Sequence, residues 1–290
     1  MEQTISIEEL MKIHSIQLQM LDEVHRICEK FNIKYIISGG TLLGAVRNGK
    51  FILWDDDIDI RMERGEYNKF CDVCNRELDR TKFFFQTYET DPEYPWFYGK
   101  MRYTNSKYIR KGQEHLHMQN GIFIDIMPAD GVPNCKWKRK IFTYKCYVMK
   151  RVLYSVVGYK SENKWYKRLY FNLLNYIPKK FVFSEFESMA QKYSNKKYKY
   201  VTCYSFVNPG QSEFTERDWH LERIKMPFEG KIYYIPKAYD KWLVMTYGND
   251  YLIPPPLKER YMHNEISFFS MEGEGYESTT ISSGKGDKNI

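Results

Sequence analysis

Apolar positions along the chain fall into two periods, and the changes between them outline its organisation. Residues 7–31 carry Ile7, Leu10, Met11, Leu18, Leu21, Val24, Cys28 and Phe31 near helical spacing, which predicts a long amphipathic helix laid on a sheet. The apolar run 33–38 predicts a first strand, and 41–47 a short helix after the Gly39-Gly40 turn. Residues 57–62 read as a second strand and 66–79 as a helix. Segments 82–88, 96–103 and 121–126 alternate or carry β-branched and aromatic residues, so they predict further strands, after which Pro128 and Gly131 punctuate the chain. From 136 to about 195 the pattern is helical, basic and aromatic. Short extended pieces follow (200–206, 231–235), then a helix near 237–247 and the turn at Pro254-Pro255-Pro256. Residues 271–290 are polar and Gly/Ser-rich and read as a disordered tail. No internal repeat is visible. The expected class is α+β: a mixed sheet flanked by helices over 1–132, then a basic helical region with short strands over 133–270.

The chemistry concentrates between Tyr35 and Arg61, where Asp55, Asp56, Asp57 and Asp59 occupy four of five positions. If 57–61 is extended, Asp57 and Asp59 project to one face while Ile58 and Ile60 project to the other. Like charges held side by side repel, so the arrangement calls for a cation. Paired carboxylates suit Mg²⁺ or Mn²⁺, which completes its shell with water and substrate phosphate. Asp55 shares that face if the strand begins early. Asp56 points the other way and is expected at the surface or in a hydrogen bond. Upstream, a strand followed by Gly39-Gly40 and a helix start would let backbone N–H groups after Ser38 approach a phosphate. Asp125 lies in the apolar run Ile122–Ile126, where an unpaired charge costs several kcal/mol. A metal or an acceptor hydroxyl would justify it, and capping of the next turn is the competing reading.

The stretch SGGTLLGAVRNGKFILWDDDIDI resembles the signature of the LicD family, the bacterial phosphocholine-transferase family related to fukutin-type ribitol-phosphate transferases. GIFIDIMPADG (121–131), FEGKIYYIP (228–236) and YGNDYLIPPPLKERYMH (247–263) resemble further family blocks, so the likeness spans roughly residues 8–265. It implies a nucleotidyltransferase-type fold and transfer of a phospho-alcohol from a CDP-linked donor, CDP-choline foremost, to a glycan or lipid-linked glycan. On that reading Asp57 and Asp59, with Asp55 and Asp125, hold the metal, and Asp125 serves the acceptor hydroxyl. Asp130 also matches a family position, in a turn-like context. Ser38, Gly39, Gly40, Arg47, Lys100 and Arg102 are the candidate donor-phosphate contacts, and Arg260 and His263 close over the donor. A choline headgroup would need an aromatic box, for which Trp54, Tyr94, Trp96, Phe97 and Tyr98 are candidates.

Composition changes this picture in one respect. Of a net charge of +7, the segment 136–180 alone carries +12, with 13 Lys or Arg against Glu162, leaving −5 on the rest. Such asymmetry points to an anionic partner: an acceptor glycopolymer, an anionic membrane surface, or nucleic acid, the last without a specific site. Residues 1–20 lack the apolar core of a secretory signal, and no run of about 18 apolar residues offers a spanning helix. The six cysteines then read as reduced thiols of a cytoplasmic protein, Cys71-x-x-Cys74 included. The competing functions are nucleotidyl transfer from an NTP and a non-catalytic fold whose basic segment binds nucleic acid or membrane.

Overall fold

A computed structural model describes residues 5–210, 214–256, 259–260 and 266–271. His263 and residues 272–290 lie outside the described residues. The fold is α+β, a curled mixed sheet flanked by helices, as the apolar periods imply.

Helix α1 (Ile7–Lys30) starts in a capping box, in which Ser6 Oγ accepts from the Glu9 amide and the Glu9 carboxylate accepts from the Ser6 amide. Its phase differs from the sequence expectation. Ile7 and Met11 are exposed, and the buried face runs through Leu10, Ile13, Gln17, Met20, Val24 and Ile27. A glutamine in mid-stripe hid that face. Gln17 Nε2 donates to the carbonyls of Asp56 and Phe123, at 2.8 and 3.1 Å, and so ties α1 to the acidic loop and the central strand.

Strand β1 (Ile36–Ser38) leads directly into α2 (Gly39–Asn48), so Gly39 and Gly40 form the helix's first turn rather than a turn before it. Strand β2 (Asp59–Glu63) is followed by α3 (Arg64–Glu77), β3 (Phe83–Gln86), β4 (Gly99–Tyr103), β5 (Ser106–Arg110) and β6 (Phe123–Val132). The sheet order is β1-β2-β6-β4-β3, with β2 and β6 parallel and the other neighbours on this path antiparallel. All ten residues of β6 are buried. The strand continues through Pro128 and Gly131, contrary to the break that these residues imply in the sequence. Its β4 pairing ends at Gly99–Ile126, before the proline, and its distal end pairs with β7 (Tyr200–Thr202).

Helices α4 (Lys136–Ser161), α5 (Trp165–Asn175) and α6 (Lys179–Lys192) build a second core in which Phe142, Cys146, Val182 and Phe186 pack with Phe97 and Tyr204. The chain then returns to the first core through β8 (Thr215–Glu216), α7 (Asp218–Leu221), the hairpin of β9 (Arg223–Phe228) and β10 (Lys231–Pro236), α8 (Tyr239–Tyr247) and β11 (Ile266–Met271), which pairs with β5. Among the described residues no helix is long and apolar enough to cross a membrane. All six cysteines are free thiols.

Candidate active site

Strand register delivers one row of polar residues across the sheet. Ser38 on β1 pairs with Asp59 on β2, Asp59 with Asp125 on β6, Asp125 with Lys100 on β4, and Lys100 with Gln86 on β3. Directly paired residues share a face, with strands about 4.8 Å apart. Asp57 enters from the loop just before β2 and alternation places it beside Asp59, opposite the fully buried Ile58 and Ile60. One carboxylate oxygen from each of Asp57, Asp59 and Asp125 lies within 4.8 Å of the other two.

The glycine pair makes room for these acids. A Cβ on Gly39, whose φ is +57°, would fall 2.0 Å from Asp59 Oδ2, and one on Gly40 would fall 2.2 Å from Asp55 Oδ2. The space over the first turn of α2 is therefore taken by the protein's own carboxylates, held at the positive end of a helix. Thr41 Oγ1 accepts from the Asp59 amide at 3.0 Å, and His14 Nε2 donates to the Asp55 carbonyl at 2.6 Å. Asp56 is 1 % exposed and accepts from Tyr108 Oη at 2.7 Å, so of the two expectations for it the hydrogen bond holds and the surface position does not.

Crowded carboxylates with little solvent are hard to ionise together. Desolvation, then Asp125 and Asp56, push Asp57 up to about 7, with Lys100 and Arg110 pulling back. Desolvation, then Asp57, Asp125 and Asp55, hold Asp59 well above the carboxylate range. Asp55 moves the same way through desolvation, then Asp57 and Asp56. Lys100, 2 % exposed and donating to Asp125, is pushed down to about 8 by desolvation, which Asp125 opposes. Three converging carboxylates beside one ammonium leave a net negative pocket with all-oxygen donors, the chemistry of a hard divalent-cation site.

The remaining candidates separate by position. Lys100 is inside the row as the partner of Asp125 rather than on an open phosphate site. Arg102 is 2 % exposed, with Nε on Gln86 Oε1 at 2.7 Å and Nη1 on the Gly121 carbonyl at 2.9 Å, so both contacts tie it into the protein's own framework. Arg47 donates to the Tyr251 carbonyl at 2.5 Å, and its guanidinium is near enough to that of Arg260 to feel its charge. Arg260 lies 5.1 Å over the Trp54 ring, so these three gather beside the acidic loop. Asp130, read as a turn residue, sits inside β6 with no exposure and takes a two-pronged ion pair from Arg64 at 2.6 and 2.7 Å. Tyr94 and Phe97 are buried in the protein's cores, whereas Trp96 and Tyr98 line a cavity of about 960 Å³ against α4. Sequence reasoning missed Gln17, His14, Thr41 and Tyr108, which hold the acidic loop, and Arg110, which reaches Asp57 electrostatically. Thr41 lies within the signature block, where its neighbours Gly39 and Gly40 draw the attention, and none of the others sits in a run that distinguishes it from a surface residue.

A family model described as the LicD/FKTN/FKRP nucleotidyltransferase domain matches residues 32–238, which contain the whole row. The chain belongs to the LicD family. As a LicD-family protein it is a transferase. It is 29 % identical over 261 residues to the lipopolysaccharide cholinephosphotransferase LicD of Haemophilus influenzae, covering 85 % of this chain and 92 % of that one. Uncharacterized proteins of Rickettsia prowazekii and Rickettsia typhi are 52 % identical over 42 residues, 14 % of this chain in each case and 16 % and 14 % of theirs.

Proposed function

We propose that the protein transfers phosphocholine from CDP-choline to a hydroxyl of a cell-surface glycan precursor and releases CMP. The observation that carries this reading is the convergence of Asp57, Asp59 and Asp125 in one strand row, in a chain that matches a cholinephosphotransferase over nearly its whole length. The acceptor oxygen attacks the choline-bearing phosphorus, a new P–O bond forms, and the P–O bond to CMP breaks. Asp125 takes the hydroxyl proton, and Lys100 orients its carboxylate and offsets its charge. Ser38, fully buried with no hydrogen-bond partner for its Oγ among the described residues, stands next to Asp59 in the row and leaves an unused hydroxyl behind the carboxylates. The α2 N-terminus adds a positive field on the same side.

The donor set fits Mg²⁺ or Mn²⁺, which Asp57, Asp59 and Asp125 would hold, with Asp55 adjacent. When bound, such an ion neutralises charge on the phosphoryl group and on the departing CMP. The protein's own part is to fix the carboxylates through Thr41, His14 and Gln17, and to exclude water behind Ile58 and Ile60.

The leaving group tests the proposal. Incubation with CDP-choline and Mg²⁺, with water standing in for the acceptor hydroxyl, should yield CMP and phosphocholine on chromatography. Pyrophosphate released from CTP or ATP, with no CMP from CDP-choline, would instead assign nucleotidyl transfer.

A further inference from the structure

The cavity beside the row is built for an anion. Among the described residues six cations line it, Arg110, Lys111, Lys150, Arg151, Lys164 and Lys167, against one acid, Glu162. Glu162 is already engaged by Lys167 at 3.6 Å. Two polar groups in the wall lack hydrogen-bond partners among the described residues: Ser205 Oγ, on a residue only 8 % exposed, and Arg151 Nε. Orphaned buried donors of this kind are uncommon and point to a missing ligand. The cations also argue against the trimethylammonium group of choline, despite Trp96 and Tyr98 in the wall.

The cavity lies on a definite side of the chemistry. Tyr98 immediately precedes β4, and Lys100 Nζ sits 5.4 Å from the Tyr98 ring while donating to Asp125. In strand order α2 and β1 lie on one side of the Asp59–Asp125 pair, and β4 with this cavity on the other. In-line displacement places nucleophile and leaving group on opposite sides of phosphorus. Given the phosphotransfer proposed above, on which this inference rests, a donor on the β1 and α2 side of the pair, where Arg47 and Arg260 gather beside the acidic loop, leaves the cavity to the acceptor. We infer that the cavity is the acceptor subsite and takes a phosphorylated saccharide, its phosphoryl group met by Arg151 and Ser205, while Lys150, whose ammonium also donates to the Val207 carbonyl and Asn208 Oδ1 at 3.1 and 2.6 Å, adds charge and its remaining N–H.

Calorimetry on the intact protein tests this with glucose 6-phosphate, glucose and CMP as probes. Glucose 6-phosphate should bind and neutral glucose should bind at least about tenfold more weakly, since a charge-assisted contact is worth that much. Arg151→Gln and Ser205→Ala should each weaken glucose 6-phosphate more than CMP. Lys164→Gln, on an exposed side chain, repeats the test without risk to the fold. Equal binding of glucose, unchanged binding in all three variants, or a larger loss for CMP would overturn the assignment. Hydrolysis of CDP-choline to CMP and phosphocholine, with water as the nucleophile, separately reports the phosphoryl chemistry, so the two failures are distinguishable.

The outer faces of the helical layer carry an independent observation. On α4, Trp137, Ile141, Tyr144 and Val148 recur at helical spacing, and each is more than half exposed. On α5, Trp165, Leu169 and Leu173 do the same, followed by Tyr176 at its cap. Lys136, Lys138, Lys140 and Lys145 interleave with the first stripe, and Lys164, Lys167 and Arg168 with the second. Aromatic and aliphatic stripes flanked by cations are the pattern of interfacial helices. Self-association through this face would bring two +12 segments together. We propose that α4 and α5 dock on an anionic lipid surface. The protein should co-sediment with phosphatidylcholine vesicles containing about 30 mol % phosphatidylglycerol and not with phosphatidylcholine alone. The double variant Trp165→Ser, Leu173→Ser should lose at least about tenfold in vesicle affinity with an unchanged melting temperature. Equal binding to both vesicle types, an unchanged double variant, or retention on RNA but not on vesicles would overturn it.

Discussion

Gly39→Ala is a small change that should disable the site through one contact. Its new methyl group would lie 2.0 Å from Asp59 Oδ2 and 3.1 Å from Asp59 Cγ, so the carboxylate must retreat. A methyl–oxygen contact needs more than 3 Å, so the retreat is about 1 Å, a misplacement that costs about 100-fold in rate. The left-handed φ of +57° adds about 1–2 kcal/mol of backbone strain. Gly230→Ala separates the two effects, because Gly230 has φ +77° with nothing within 4 Å of its would-be Cβ. Both variants should lose similar stability in urea, about 1–2 kcal/mol. Only Gly39→Ala should lose CMP release from CDP-choline, by about 100-fold. If Gly39→Ala kept activity within about tenfold of Gly230→Ala, the packing of Asp59 on α2 would not be what places the carboxylate.

Three other outcomes follow from the same geometry. Asp130→Ala strands Arg64 in the interior and should cost about 3–5 kcal/mol in chemical denaturation, and a loss below about 1 kcal/mol would show the pair to be dispensable. The raised pKa of Asp57 gives a signed pH effect in metal-free protein. Its contribution to stability is full below its ordinary value near 3.8 and disappears as pH rises through about 7. Wild type measured against Asp57→Asn in chelator should therefore lose ground between pH 4 and pH 7, and Mg²⁺ at pH 8 should raise the wild-type melting temperature; a flat difference and no Mg²⁺ response contradict both. Lys100→Met removes a cation that favours ionised Asp57, so the acid limb of the CMP-release profile should move to higher pH, and an unmoved limb would show that Lys100 does not tune the cluster.

What could be read from the chain follows the strength of its local signals. The alternation of Asp57-Ile58-Asp59-Ile60 is dictated by the pleat, and the structure buries both isoleucines and gathers both acids with Asp125. Asp125 was visible because its apolar neighbours make a lone charge costly. The true phase of α1 was not, because Gln17 satisfies two carbonyls from a position that pattern reading counts as polar. Pro128 and Gly131 misled for a related reason, since β6 changes partners there, from β4 to β7, and tolerates both. Gly39 and Gly40 suggest room for a phosphate, whereas they yield to Asp59 and Asp55, contacts across fifteen to twenty residues that follow from the β1–β2 pairing and the loop before it. Lys100 and Arg102 share a strand face as expected, but their partners Asp125 and Gln86 come from other strands.

The most direct test of the account is CMP release from CDP-choline in Mg²⁺ by wild type, Asp57→Asn and Asp59→Asn, with folding checked by thermal melting. The account predicts release by wild type and a loss beyond about a thousandfold, some 4 kcal/mol, in each folded variant. Release within about tenfold of wild type in both would contradict it.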